Sequence, residues 1–235
     1  MSDYALISGT SGRRTFLYKT LSSAAIGFAA YSRFGLSSSR TIQAQTNFSS
    51  DAALGELIAG NQRFVANQLT SIAHDLIILK EHTVEKQEPF AAVLSCADSR
   101  VPVELIFDQT IGHIFVTRIA GNFVTPEIIG SLEYAVAVLG VKALLVLGHT
   151  SCGAVKAAMK AEPVPGQISV LYKHIRPAVE SSNGNVEKAI ETNAKLQAGL
   201  LRTSSTVISE ATKTAKLKVE AGVYDLGTGK VTLLS

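Results

Sequence analysis

Both cysteines of this chain lie in two short strings, Cys96-Ala97-Asp98-Ser99-Arg100 and His149-Thr150-Ser151-Cys152. Together they offer two thiolates, a carboxylate and an imidazole, the donor types that zinc takes in tetrahedral sites. Each string follows an apolar run, Ala91-Ala92-Val93-Leu94 in the first case and Ala143-Leu144-Leu145-Val146-Leu147-Gly148 in the second. Runs of that length without polar alternation read as short strands buried on both faces, as in parallel sheets. If two such strands are neighbours, their carboxyl ends can supply all four donors. That edge is also where open α/β sheets bind ligands.

Two other readings compete. Cysteines in a domain of this size are commonly inert core residues, and in an exported chain the pair could close a disulfide. Context favours a metal. Each cysteine falls where a strand ends, with another metal-competent side chain two or three positions away. Arg100 places a cation two residues after Asp98, which a dry core would not accommodate.

The elements that position these strings alternate along the chain. Residues 51–67 place Leu54, Leu57, Ile58 and Phe64 at helical spacing, with Ser50 or Asp51 as N-cap. That helix precedes every strand and has nothing in its own early sequence to pack on. A second helix is expected over 74–86, and Pro89 restarts the chain as a strand. Further strands are expected over 113–119 and 143–148. Helices are expected over 131–139, ended by Gly140, over 152–160 and over 186–202. Pro163, Pro165 and Gly166 mark a loop. Residues 217–224 and 231–234, joined through Gly227-Thr228-Gly229, read as a terminal hairpin. The pattern predicts an α/β fold with a mainly parallel sheet flanked by helices and closed by an antiparallel C-terminal hairpin.

The Cys-x-Asp-x-Arg string followed by His-x-x-Cys-Gly resembles the signature of the β-class carbonic anhydrases. The likeness runs from about Asn61 to the C-terminus, through Ser99-Arg100-Val101-Pro102, Arg118-Ile119-Ala120-Gly121-Asn122 and Ser131-Leu132-Glu133-Tyr134-Ala135-Val136. It implies one zinc ion per subunit, held by Cys96, His149 and Cys152. Asp98 is then either a fourth ligand that closes the site or the partner of Arg100, leaving room for water. In the open arrangement Asp98 accepts a hydrogen bond from the zinc-bound hydroxide and orients it towards CO2, giving bicarbonate and a proton. The resemblance also implies a substrate pocket of Gln87, Phe115, Ala120, Tyr134 and Gly153, with Ala120 standing where valine is common. Gln87 and Tyr134 would face the site across a dimer interface, and the first helix would reach over the partner. A homodimer or dimer of dimers follows. Some bacterial members carry a second, inhibitory bicarbonate pocket. Arg118 matches its arginine, but Val93 replaces its tryptophan and the chain has no Trp, so that pocket is not expected here. Two other functions stay open: hydrolysis of carbonyl sulfide or carbon disulfide on the same scaffold, and an exported binding protein stapled by Cys96 and Cys152.

The 235 residues, 46% hydrophobic and 17% charged, suffice for one domain with a sizeable core. The net charge of +3 is unevenly spread. Residues 1–50 hold Arg13, Arg14, Lys19, Arg33 and Arg40 against Asp3 alone, which leaves 17 basic and 18 acidic residues beyond them. A nearly neutral body offers no clustered basic face for nucleic acid. Gly12-Arg13-Arg14-Thr15-Phe16-Leu17 resembles a twin-arginine export motif. A weakly apolar stretch over 21–31 follows, too short to span a bilayer, and Ile42-Gln43-Ala44 offers a cleavage site. Residues 1–44 therefore read as a cleaved leader and 45–235 as the domain, in the periplasm or otherwise exported. An organelle transit peptide is the alternative.

Overall fold

The computed structural model describes residues 47–71, 84 and 86–235. The leader expected over 1–44 lies outside the described residues. So does the helix expected over 74–86, except for residues 84 and 86, which are not helical. The described elements are α1 (Ser50–Val65), β1 (Ala91–Ser95), α2 (Val103–Ile106), β2 (Ile114–Arg118), α3 (Pro126–Ala137), β3 (Ala143–His149), α4 (Gly153–Lys160), a 3-10 turn (Ile168–Leu171), α5 (Tyr172–Glu180), α6 (Val186–Ser204), α7 (Thr206–Lys213), β4 (Lys218–Tyr224) and β5 (Val231–Leu234).

The five strands form one sheet in the order β2-β1-β3-β4-β5. The first four are parallel, and β5 returns antiparallel to β4. This is the mainly parallel sheet with a terminal hairpin that the sequence predicts. β1 and β3 sit centrally and are buried along their whole length. Alternate residues serve opposite faces. Val93, Leu145 and Leu147 pack with Leu54 and Leu57 of α1 and with Ile106 and Phe107. Ala92, Leu94, Leu144 and Val146 pack with Leu132 of α3, Ala198 and Leu201 of α6, and Ile208 of α7.

Three expectations are corrected. The N-cap of α1 is Ser49, whose hydroxyl accepts from the Ala52 N–H. That helix does have a surface of its own to pack on. Ala53, Leu54 and Leu57 are buried against the chain's own sheet. Asn61, also buried, donates to the carbonyls of Ile106 and Gly229 and accepts from the Val231 N–H. Finally, α3 begins at Pro126 rather than Ser131, because Thr125 caps it and proline at the first helical position has its φ preset. Neither α5 nor α7 was expected. Pro177 lies inside α5, and α7 is short and rich in Ser, Thr and β-branched residues.

Asp108, buried in the left-handed region at φ 45, ties α1 to the following loop. Its carboxylate accepts from Arg63 Nε, from the N–H and hydroxyl of Thr70, and from the N–H and hydroxyl of Ser71. Burial pushes its pKa up, but the bonds from Arg63, Ser71 and Thr70 together hold it well below the usual carboxylate range. A depressed folded pKa stabilises fully above the unfolded value of about 3.9, and the stabilisation fades as pH falls through the folded value. Asp108→Asn is therefore expected to be less stable at neutral pH and to lose less between pH ~4 and ~2 than the parent chain. Urea midpoints measured across that range check this. Parallel decline of both proteins would place the acid lability elsewhere.

Candidate metal centre and active site

β1 and β3 run side by side in parallel, with Ser95 opposite Leu147. Cys96, the next residue, and His149, the last of β3, therefore emerge at the same sheet edge. A turn through Ser151, at φ 58, then delivers Cys152 as the N-cap of α4. All three side chains are buried, His149 completely.

The two sulfurs stand 3.9 Å apart, and all three donor atoms lie within 4.8 Å of one another. Two sulfurs each about 2.3 Å from one tetrahedral zinc would be separated by about 3.8 Å. A disulfide needs about 2.05 Å, and both cysteines are free, so the stapled binding protein finds no support. His149 is held in the tautomer a metal requires. Its Nδ1 lies 3.0 Å from the Thr150 carbonyl, which can only accept, so Nδ1–H is the donor of that bond and Nε2 is the nitrogen left to face a metal. Nε2 is buried without a hydrogen-bond partner. An orphaned imidazole lone pair facing two thiols is a donor set shaped for a soft or borderline cation. Cys96 is drawn below the ordinary thiol range, chiefly by the hydrogen bond with Cys152 and further by the N–H of Gly121, against the upward push of burial. The same partnership pushes Cys152 up.

Asp98 sits beside this cluster, with Oδ2 3.7 Å from His149 Nε2. Arg100 grips it with both ends of its fork, Nε to Oδ1 at 2.9 Å and Nη2 to Oδ2 at 2.8 Å, and the Arg100 N–H adds a third bond to Oδ1. The guanidinium contacts, more than the backbone one, hold the Asp98 carboxyl far below the usual range. In this structure Asp98 is paired with Arg100. The loop carrying them is itself pinned. Arg118 donates to the carbonyls of Cys96 and Asp98, and the N–H groups of Ala97 and Ile119 bond across to the carbonyls of Ile119 and Ser95.

A family model described as carbonic anhydrase matches residues 91–231, which includes every residue of the cluster. The chain belongs to the carbonic anhydrase family. Carbonic anhydrase 2 of Mycobacterium tuberculosis is 34% identical over 194 residues, covering 77% of this chain and 91% of that protein. Among solved structures, the β-carbonic anhydrase CafA of Aspergillus fumigatus superposes with a TM-score of 0.64 at 27% identity, over 79% of this chain and 90% of that one. The Coccomyxa β-carbonic anhydrase, solved with acetazolamide, gives 0.62 at 28% identity, over 77% and 86%. The fold and these likenesses place the chain in the β-class.

The pocket residues expected of a β-class carbonic anhydrase are only partly gathered. Gly153 opens α4 beside Cys152, and a Cβ there would meet nothing within 4 Å. Gly153 is itself exposed. Ala120 precedes Gly121, whose N–H donates to Cys96 Sγ at 3.3 Å. Phe115 and Tyr134 are brought together, with ring centroids 6.4 Å apart, and Tyr134 is 47% exposed. Phe115 lies near the amino end of β2, however, opposite Ala92. Gln87 is exposed and precedes β1. Neither reaches the cluster of its own chain by sheet register. Sequence reasoning missed the use of Arg118 as a clamp on two carbonyls. It also missed Asn193 and Gln197, buried amides of α6 that bond to the loop after β2. The only sequence signal for those two was a pair of polar residues four apart on a face otherwise built of alanine, isoleucine and leucine.

Proposed function

We propose that this carbonic anhydrase reversibly hydrates CO2 to bicarbonate and a proton at a zinc ion held by Cys96, His149 and Cys152. The observation that carries the reading is the buried, partnerless Nε2 of His149 facing two free sulfurs, with an Arg100-clamped carboxylate beside it. Zinc, when bound, supplies Lewis acidity that readies a water for attack at neutral pH. Cys96 and Cys152 bind as thiolates, whose two negative charges balance the dication. His149 donates Nε2 while its Nδ1–H rests on the Thr150 carbonyl.

Asp98 supplies orientation. Kept ionised by Arg100, it can only accept a hydrogen bond, so it takes one from the attacking water and turns that oxygen's lone pair towards the carbon of CO2. Gly153, exposed directly after Cys152, puts no side chain in the way of the small, apolar substrate. Gln87, exposed ahead of β1, and Tyr134, exposed on α3, suit a homodimer in which each subunit completes its partner's pocket.

Purified protein is expected to hold about one zinc per chain and to catalyse CO2 hydration in stopped-flow assays. Stripping the metal with dipicolinate should abolish the activity, and restoring zinc should recover it. Full activity after verified metal removal would overturn the reading. Carbonyl sulfide offered to the same enzyme tests the alternative substrate class.

We also propose export through Arg13-Arg14 and Phe16-Leu17. Lysine keeps the charge but loses the planar guanidinium that a receptor reads. Replacing both arginines by lysine is expected to leave an uncleaved, active protein in the bacterial cytoplasm, as cell fractionation would show. Unchanged periplasmic delivery would favour a transit peptide or a retained tail.

A further inference from the structure

The hydrogen bond from the Gly121 N–H to Cys96 Sγ depends on a tight turn. Gly121 has φ +91, and a Cβ there would come within 2.6 Å of Ile175 Cδ1, so the position accepts only glycine. A glycine free to rotate does not by itself keep its N–H aimed at a sulfur. The other side of Gly121 is tied down from α6. Asn193 Nδ2 donates to the Gly121 carbonyl at 2.9 Å, and Gln197 Nε2 donates to Asn193 Oδ1 at 3.3 Å. Gln197 Nε2 also reaches the His174 carbonyl, and its Oε1 accepts from the Val124 N–H at 2.9 Å.

Asn193 and Gln197 are 1% and 3% exposed. They stand one turn apart on the same face of α6. Amides buried that deeply are tolerated only when their polar atoms are matched, and here both ends of both amides are. The bonds run unbroken from α6 through Asn193 and Gly121 to the sulfur. Holding the Gly121 carbonyl fixes the torsions about its Cα, and those torsions direct its N–H.

We infer that Asn193, locked by Gln197, is a positioning residue for the metal centre: it holds Gly121 so that the N–H bonds the Cys96 sulfur and withdraws charge from it. The inference rests on Cys96 being a metal ligand. Outer partners of this kind tune metal sites by about 10–100-fold in affinity or activity.

The test compares Asn193→Leu, the shorter Asn193→Ser in case the first does not fold, and Leu201→Ala. Leu201 is a buried apolar residue of α6, one turn beyond Gln197, that makes no hydrogen bond in this network and so controls for loss of packing alone. Two readouts apply. The first is the thiolate-to-metal charge-transfer band of the cobalt-substituted protein, together with its zinc affinity. The second is amide hydrogen exchange at Gly121 in the metal-free chain. Either Asn193 variant is expected to shift the band to longer wavelength, weaken zinc binding about 10–100-fold and speed Gly121 exchange at least about tenfold relative to Leu201→Ala. An unmoved band and unmoved Gly121 exchange in a folded Asn193 variant would overturn the inference. If the parent chain takes up no cobalt with a thiolate band, the metal reading fails instead, and Gly121 exchange alone then decides whether Asn193 holds the turn.

Discussion

Cys152→Ala is expected to leave the protein folded and without zinc. The side chain is small and 1% exposed, and it stands as the N-cap of α4, with the N–H groups of Ala154 and Val155 beside its sulfur. Its removal therefore costs little packing. What it removes is one of two thiolates at a site where only three donor atoms, those of Cys96, His149 and Cys152, converge among the described residues. Loss of an outer partner costs about 10–100-fold in metal affinity, and loss of a direct ligand should cost more than that range. Metal analysis after dialysis, alongside circular dichroism, checks both halves. Zinc retained at one per chain would remove Cys152 from the ligand set. The same reasoning extends to Cys96 and His149.

Asp98→Asn is expected to keep zinc and fold but lose activity by about 10²-fold or more, the scale on which positioned proton acceptors contribute. The amide matches the carboxylate in shape. It cannot face Arg100 with two oxygens, so one of the paired contacts at 2.9 and 2.8 Å is lost or turned repulsive. It also presents an N–H2 where the attacking water must find an acceptor. Because Arg100 holds Asp98 ionised far into acid, the parent enzyme's activity near neutral pH should not follow the titration of this carboxyl. Measured kcat for CO2 hydration, with zinc content determined on the same samples, separates loss of orientation from loss of metal. Near-normal kcat in the asparagine variant would take Asp98 out of the mechanism.

The two largest expected effects concern residues that stand out in the sequence, and the reason is local. Cys96, Asp98 and Arg100 lie within five positions, and His149 and Cys152 within four. Each group follows a strand whose unbroken apolar character marks it as central. Two central parallel strands must end at one edge, so the meeting of the two strings follows from pattern alone. Asp98 and Arg100 can pair because they are two residues apart. The sheet, its hairpin and most helices follow from the same local periodicities.

The support around the site is of another kind. Asp108 meets Arg63, Thr70 and Ser71 across about 40 residues of chain, and Asn61 meets Val231 across 170. Asn193 reaches Gly121 across 72. None of these residues sits in a pattern that marks its partner. A polar side chain is read from sequence as exposed, and only the packed structure shows it buried and matched. Likewise, the periodicity of α1 displays an apolar face but not which surface will cover it, and here the chain's own sheet does. Gln87, Phe115 and Tyr134 belong to the expected pocket by resemblance, yet strand register sets the first two away from their own cluster. By itself, the sequence determined which side chains could bind a metal and which strand ends carry them, because those relations span a few residues and repeat with the period of the element. Only the tertiary structure decided which buried polar groups hold those ligands in place, because hydrogen bonds between distant segments depend on register and approach, which no local pattern encodes.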